Sequence, residues 1–478
     1  MDSQKKKYIL LSCGVLLIVV IICVVLVAIT GLGVSLIWPF SRSSSSVTEV
    51  VTEAANTAPE TQAETEAAPA EATGTAAISE SVFPAELLEA ATTIEGQVQQ
   101  LRGLTATEDF DRELISEADL EDKVKNDFFA DYSDEEARQD TIVLSTLGLL
   151  PPAFNLKQWY TDLYSEQIAG FYDDEVKTMY VVQGEGFGGS EKTTYAHEYT
   201  HVLQDQVYGF EGRLDMSEEA CQADSEKCAA IQALVEGDAV TSELLWFQNF
   251  GTKKDYADIM EFYESYESPV LDAAPPYMEA DLYFPYDKGQ VFVETFYSQG
   301  GYQRVDEVYA NLPVSTEQIL HPERYPQDTP TPVDLPDLTA TLGDGWFLYD
   351  QNVMGEWYTF LILNKAYEQS WQLSEPTASA AAEGWGGDAY AFYLNQDTDE
   401  VVFILDYVWD TTSDADEFSA AFKSYANLRW DPSASLMTGH STWTGADGLV
   451  DFFQNGSRTV WVIAPDAAWL EKVMSGLE

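Results

Sequence analysis

The chain has 478 residues, of which 24 are Lys or Arg and 81 are Asp or Glu, so its formal net charge is −57 at pH 7. A surface this acidic repels nucleic-acid phosphates and anionic lipid headgroups, which excludes DNA and RNA as partners. The length predicts two or three domains, and the hydrophobic fraction of 45% allows a sizeable core.

The N-terminal region has the pattern of a membrane anchor. Lysines occupy positions 5 to 7, and no charged residue occurs from Tyr8 to Trp38. This apolar run is longer than the roughly 20 residues that span a bilayer, whereas a cleaved signal peptide, the alternative, has a shorter apolar core. The positive-inside rule then predicts a cytoplasmic tail at residues 1–7, a transmembrane anchor at 8–38 and a single-pass protein of the cell membrane with an extracytoplasmic body.

The anchor is followed by a segment that lacks the residues needed for a core. Residues 39–82 consist mainly of Ser, Thr, Ala, Glu and Pro and contain few large apolar side chains. Such a composition cannot bury enough surface to fold, so we expect a disordered acidic stalk.

The folded body begins near Phe83. Apolar periodicity predicts three helices, over Ala85–Leu101, Leu120–Phe129 and Asp134–Leu147. A strand–turn–strand pattern around Asp173-Asp174 follows, and its second strand is Thr178–Val182.

The next stretch, from Tyr195 to His201, reads YAHEYTH and contains the pattern H-E-x-x-H. Residues four apart on a helix share one face, so His197 and His201 can point their imidazoles at one ion. Zn²⁺ accepts neutral imidazole nitrogens, and Glu198 is placed to take a proton from a metal-activated water. The alternative is a chance occurrence of a short motif on a solvated helix, which only the structural context can decide.

A third metal ligand is expected downstream, because a catalytic zinc usually has three protein ligands and one open position. The helical pattern from Ala229 to Leu245 has an apolar stripe, and Glu236 lies beside it. A lone carboxylate there is costly to bury unless it is paired or bound to a metal. The alternative is that Glu236 is simply exposed at the edge of the stripe.

The HEYTH motif and the glutamate of the E-G-D-A sequence resemble those of the gluzincin metallopeptidases, of which thermolysin is the familiar member. The resemblance is closest to membrane-linked bacterial and archaeal members, and it covers roughly residues 178–245. It implies that His197, His201 and Glu236 bind Zn²⁺ and that Glu198 is the general base.

Two features depart from thermolysin. An aspartate one turn after the ligand glutamate orients an imidazole in that protein, and Val240 stands at the corresponding position here. Asp205, Asp238 and Glu243 are the nearby carboxylates that can take over this role.

The second departure is a longer gap between the histidines and the third ligand. This insert contains Cys221 and Cys228, which in an extracytoplasmic domain predict a small disulfide loop. A second metal site is the alternative, but two cysteines are too few ligands for a structural zinc.

The far wall of a zinc peptidase site needs a donor for the oxyanion that forms on the scissile carbonyl. His321, in a proline-bounded loop, is the first candidate and Tyr286 the second, while the alternative for His321 is a loop histidine bonded to the backbone.

The resemblance also implies that the strand Thr178–Val182 is an edge strand above the metal that pairs with extended peptide. The alternative is an ordinary interior strand.

The C-terminal part is separated from the motif by the proline-rich connector Pro326–Pro336. Beyond it, the predicted order β-β-α-β-β-α indicates a small α+β module at residues 337–478. The module is expected to pack on a zincin-like catalytic domain at 83–336 that is mostly helical with a small sheet, so the predicted fold class is α+β.

These features together predict a membrane-anchored zinc metallopeptidase that hydrolyses peptide or protein substrates, with Glu198 as the general base. The alternative is a non-catalytic extracellular adhesion or scaffold protein, whose structural zinc site would need four protein ligands. A zinc exopeptidase would need groups that capture a chain terminus, and the sequence identifies none. The substrate and the role of residues 83–150, as part of the fold or as an inhibitory prosegment, are left open by the sequence.

Overall fold

The structure, a computed structural model, describes residues 83–129, 132–182 and 186–477. The predicted cytoplasmic tail, anchor and stalk, at residues 1–7, 8–38 and 39–82, lie outside this range. Within the described ranges, no helix combines the length and the apolar character needed to cross a bilayer.

The N-terminal two thirds of the described chain form a mainly helical body. Two π-helical turns, Val124–Phe128 and Gly209–Arg213, follow the second and fifth helices. The helices are α1 (Ala85–Arg102), α2 (Glu117–Lys123), α3 (Asp134–Thr146), α4 (Leu156–Gln167), α5 (Gly189–Tyr208), α6 (Glu218–Ala223), α7 (Ser225–Phe250), α8 (Lys253–Ser265), α9 (Pro269–Asp272), α10 (Pro276–Gly300), α11 (Tyr302–Ala310) and α12 (Thr316–Leu320).

A three-stranded sheet lies beside the body helices. Its strands are β1 (Asp111–Ile115), β2 (Gly170–Asp173) and β3 (Thr178–Val182), in the order β1-β3-β2. β1 runs parallel to β3, and β2 runs antiparallel to it. The strand Thr178–Val182 is therefore the central strand, and the prediction of an edge strand open to substrate was wrong. Both of its backbone edges are already used by neighbouring strands.

The C-terminal module is built on a seven-stranded antiparallel sheet. Its strand order is β4-β5-β6-β10-β9-β8-β7. The strands are β4 (Trp346–Asn352), β5 (Trp385–Asn395), β6 (Val401–Trp409), β7 (Asp431–Ser433), β8 (Ser441–Gly445), β9 (Gly448–Asn455) and β10 (Arg458–Ala464), and the helices are α13 (Thr339–Leu342), α14 (Gly355–Asn364), α15 (Glu375–Ala382), α16 (Thr412–Arg429) and α17 (Ala467–Leu477).

The predicted ββαββα elements are present as β5, β6, α16, β9, β10 and α17, but the sheet is larger than predicted because β4, β7 and β8 extend its two ends. One face packs against α13 and α17 in a separate small core. The other face joins the main hydrophobic core, which continues into α1, α5, α7 and α10 of the body. Mixed α+β architecture, with a helical body and a C-terminal antiparallel sheet, is thus confirmed.

Candidate metal centre

Helix α5 carries the H-E-x-x-H pattern, as predicted. It begins where the Glu191 carboxylate accepts a hydrogen bond from the Gly188 N–H at 2.9 Å, and it ends at Gly209, whose φ is 72°. Glycine adopts a positive φ without the steric cost that a Cβ brings, so it is the usual residue at such a helix end. His197 and His201 lie on one face of this helix, with their ring centroids 4.8 Å apart.

The third residue of the site is supplied by α7. The Asp224 carboxylate caps the start of this 26-residue helix, and a disulfide between Cys221 and Cys228 ties its first turn to α6, as predicted. One oxygen of Glu236 lies 3.3 Å from the Nε2 atoms of both His197 and His201. The direction is suitable for a hydrogen bond only at His197.

The separation of these atoms fits a shared metal ion. The ligand atoms of His197, His201 and Glu236 all lie within 4.8 Å of one another, and the three residues are fully buried. Two atoms bound to one Zn²⁺ at tetrahedral geometry lie about 3.3–3.4 Å apart, since each bond is about 2.0–2.1 Å long. The observed distances of 3.3 Å agree with that value.

The protons of the two imidazoles are positioned by partners on their far sides. His197 Nδ1 lies 3.2 Å from the Glu243 carboxylate, and His201 Nδ1 lies 2.8 Å from the Gln204 side-chain oxygen. Both partners are acceptors, so each Nδ1 carries a hydrogen and each Nε2 can turn a lone pair toward Glu236. Three electron-donating groups then converge in a fully buried site, which is favourable only with a cation among them.

The electrostatics of the site agree with a requirement for positive charge. Burial lowers the pKa of His197, but Glu236 and Glu243 outweigh it and raise that pKa to about 10. Burial raises the pKa of Glu236, but His201 and His197 outweigh it and lower that pKa to about 2. Without a metal, the cluster therefore holds a proton on His197, and a divalent cation would replace that proton.

Glu198 lies next to the ligands but is not one of the clustered three. It is fully buried, and neither of its carboxylate oxygens has a hydrogen-bond partner among the described residues. Burial is the main cause that raises its pKa to about 7. Its Cγ faces Gly170 of β2, where an added Cβ would come within 3.8 Å of it. A carboxyl with a pKa near 7 is well placed to exchange a proton near neutral pH.

Of the three carboxylates predicted to orient an imidazole, one contacts a histidine directly. Glu243 binds His197, whereas Asp205 accepts from the Tyr172 hydroxyl at 2.9 Å and the Lys177 ammonium at 2.7 Å. Asp238 is linked to His201 through Gln204, whose amide nitrogen donates to Asp238 and whose amide oxygen lies against His201.

His321, the first candidate for the oxyanion donor, lies away from the metal ligands. Its Nε2 lies 2.9 Å from Glu356 of α14. The neighbouring Thr316 donates its backbone N–H and its hydroxyl to Glu226, at 2.6 and 2.7 Å. Glu226 precedes Glu236 by ten residues on α7, or about 15 Å of helix. The structure does not bring His321 to the metal ligands, because α12 packs at the other end of α7.

Tyr286, the second candidate, does lie at the site. Its ring centroid is 6.4 Å from that of His197, and it packs with Val240 and Leu244 in a small buried cluster. Val240, which breaks the thermolysin pattern, therefore has a packing role on the wall of the site.

Residues 347–474 match a family described as a domain of unknown function (DUF8575). The match covers most of the C-terminal module and does not reach the metal centre. No curated protein and no solved structure matches the chain.

Proposed function

We propose that the protein is a zinc-dependent peptidase that hydrolyses the peptide bonds of a substrate at a site in its helical body. The observation that carries the proposal is the convergence of two imidazole Nε2 atoms and one carboxylate beside Glu198, a buried glutamate with no hydrogen-bond partner among the described residues. A general base and three ligands with one open position are the components of a hydrolytic zinc site.

In this proposal, His197, His201 and Glu236 hold Zn²⁺, which when bound would polarise the scissile carbonyl and lower the pKa of a water molecule. Glu198 accepts a proton from the attacking water and returns it to the leaving amine, for which a pKa near 7 is well suited. Glu243 and Gln204 keep the two imidazoles in the tautomer that presents Nε2. The predicted anchor would place this chemistry outside the cell, at the membrane.

The test is the variant Glu198→Gln, made in the body from Phe83 to Glu478. We expect zinc affinity to be retained and peptide hydrolysis to fall by roughly 10²–10⁴-fold, which is the usual contribution of a general base. Glu219→Gln, an exposed position on α6, is the matched control and should hydrolyse peptide at the parent rate. Full activity in Glu198→Gln would refute the mechanism.

A second function, a non-catalytic scaffold with a structural zinc, is favoured by one observation. All three ligands and Glu198 are completely buried, so a substrate reaches them only if a covering element moves. A hydroxamate, which chelates zinc through an open position, separates the two functions. Binding of the hydroxamate with loss of hydrolysis supports the peptidase, and failure to bind supports a closed structural site.

A further inference from the structure

A chain of buried polar groups connects the metal centre to the N-terminal helix. It begins at His201 and continues through Gln204 of α5 and Asp238 of α7 to Arg102 of α1. All four side chains are fully buried. Buried polar groups at this density have to satisfy one another, so each link constrains the next.

The orientation of Gln204 is fixed by its surroundings. Its side-chain nitrogen lies 2.9 Å from the Val235 carbonyl oxygen, 3.0 Å from Asp238 Oδ2 and 3.0 Å from the Tyr309 hydroxyl. A carbonyl and a carboxylate cannot donate hydrogen bonds, so the amide nitrogen must face them. The amide oxygen then faces His201 Nδ1 at 2.8 Å, and His201 must carry its hydrogen there.

Asp238 is in turn held by a fully buried cation. Arg102 Nε lies 2.9 Å from one oxygen of Asp238 and 3.1 Å from the other, and the hydrogen bond is directed at the second, Oδ2. The Tyr309 hydroxyl donates to the same oxygen at 2.9 Å. Arg102 also reaches Asp306 at 2.7 Å, and its guanidinium lies over the Tyr302 ring, 4.5 Å from the centroid.

Helix α1 reaches this chain from behind the metal site. Gln99 donates to the Tyr199 hydroxyl at 2.8 Å, and Tyr199 follows His197 by two residues, which places it about 200° around α5. α1 thus covers the side of α5 that faces away from the ligands. Because α1 supports the ligand helices from this side, it belongs to the folded body. It does not block the site as an inhibitory prosegment would.

We propose that Gln204 is a positioning residue for the metal ligand His201, and that Arg102 and Asp238 hold Gln204 in the orientation that sets the His201 tautomer. The inference rests on the metal-binding part of the proposed function and adds that residues of the N-terminal segment are required for metal affinity. Partners of this kind typically change metal affinity by 10–100-fold.

The experiment measures zinc affinity by competition with a chromophoric chelator, and coordination geometry from the visible spectrum of the Co²⁺-substituted protein. We expect Gln204→Leu to bind zinc on the order of 10–100-fold more weakly and to alter the Co²⁺ spectrum. Gln99→Leu makes the same substitution at a residue that contacts α5 away from the ligands, and it should leave both readouts unchanged.

A double-mutant comparison tests the link between Gln204 of α5 and Asp238 of α7, the carboxylate that Arg102 of α1 holds. Asp238→Asn should weaken zinc binding in the parent but add little in the Gln204→Leu background, because its effect passes through Gln204. If Gln204→Leu fails to fold, the isosteric Asp238→Asn carries the test alone, with weaker binding expected.

Three outcomes would overturn the inference. Parent-like zinc affinity in Gln204→Leu, or in Asp238→Asn, would show that the chain does not position His201. Additive losses in the double variant would show that Asp238 acts independently of Gln204. A parent protein that binds no zinc at all would instead remove the proposed function itself, so the two failures are distinguishable.

Discussion

Gly237 and Gly289 meet backbone to backbone between α7 and α10. A Cβ added to Gly237 would lie 2.1 Å from the carbonyl carbon and oxygen of Gly289, and one added to Gly289 would lie 2.0 Å from the Ala233 carbonyl oxygen. Gly237 follows the ligand Glu236, and Tyr286 precedes Gly289 by one turn. This glycine contact therefore sets how closely the wall that carries Tyr286 approaches the metal ligands.

Gly289→Ala is predicted to destabilise the protein and to weaken zinc binding. The new methyl group would meet backbone atoms, which cannot rotate away, so α7 and α10 must separate. Overpacking typically costs about 1–3 kcal/mol, and a backbone clash belongs at the upper end. Urea unfolding and a zinc titration measure the two effects.

Gly96→Ala is the matched control for this substitution. Gly96 lies in α1, where an added Cβ would have no atom within 4 Å from any other described part of the chain apart from its own helix backbone, so alanine should stabilise the helix by roughly 0.5–1 kcal/mol. Equal stability of the two variants would contradict the role given to the glycine contact.

Zinc is predicted to stabilise the folded body through Glu236. A ligand present at 100 times its dissociation constant adds about 2.7 kcal/mol to the free energy of unfolding. The melting temperature should rise on zinc addition and fall on chelation, and Glu236→Ala should abolish the rise because only two ligands remain.

A second group of carboxylates provides the control for zinc. Glu317, Asp328 and Asp410 also lie within 4.8 Å of one another, but Arg324 already donates to Glu317 among them. Asp328→Asn should therefore leave the zinc-dependent rise in melting temperature intact. A rise that survives Glu236→Ala and disappears in Asp328→Asn would mean that zinc binds at the second group of carboxylates instead.

Tyr286→Phe is predicted to reduce peptide hydrolysis more than zinc affinity. Tyr286 is the oxyanion-donor candidate that packs beside a ligand, 6.4 Å from His197 between ring centroids. Loss of one such donor typically lowers kcat by about 10²–10³-fold. His321→Gln, which keeps a donor for Glu356, should hydrolyse at the parent rate. A loss of kcat in His321→Gln but not in Tyr286→Phe would instead identify His321 as the donor.

The residues that the sequence could identify are those whose placement follows from local spacing. His197 and His201 share a helix face, and Glu236 stands beside an apolar stripe that had to be buried. The two cysteines lie seven residues apart, close enough that a disulfide needed no long-range information. In each case a few neighbouring residues determine the geometry.

The residues that the sequence could not identify depend on contacts between distant segments. Arg102 and Asp238 are 136 positions apart, and nothing in either local pattern specifies the pairing. Gln204 offered a weak signal, since it lies three residues after His201 on the same helix. The order of the first sheet likewise depends on β1 pairing with β3 from 67 positions away, at Asp111 and Thr178, so the pattern of β3 alone could not show that both its edges are used.

The stability of the protein is predicted to fall as the pH rises through neutrality, in part because of Asp140. This carboxyl on α3 accepts hydrogen bonds from the hydroxyls of Tyr132 and Tyr349. Burial raises its pKa from 3.8 to about 7 despite these donors. Between about pH 4 and pH 7 the folded state holds a proton that the unfolded state has released. The free energy of unfolding therefore decreases with increasing pH across this window.

Asp140→Asn tests this dependence, because an amide cannot ionise. The variant should be about as stable as the parent at pH 4, where Asp140 is protonated in the folded state. At pH 8 it should be the more stable protein by up to about 4 kcal/mol, since one pKa unit corresponds to about 1.4 kcal/mol. Asp272→Asn, at an exposed position on α9, should follow the parent at both pH values. Urea unfolding of the three proteins at pH 4, 6 and 8 gives the comparison. A parent that is more stable than Asp140→Asn at pH 8 would contradict the prediction. It would mean that the two tyrosine hydroxyls stabilise the ionised carboxylate more than burial destabilises it.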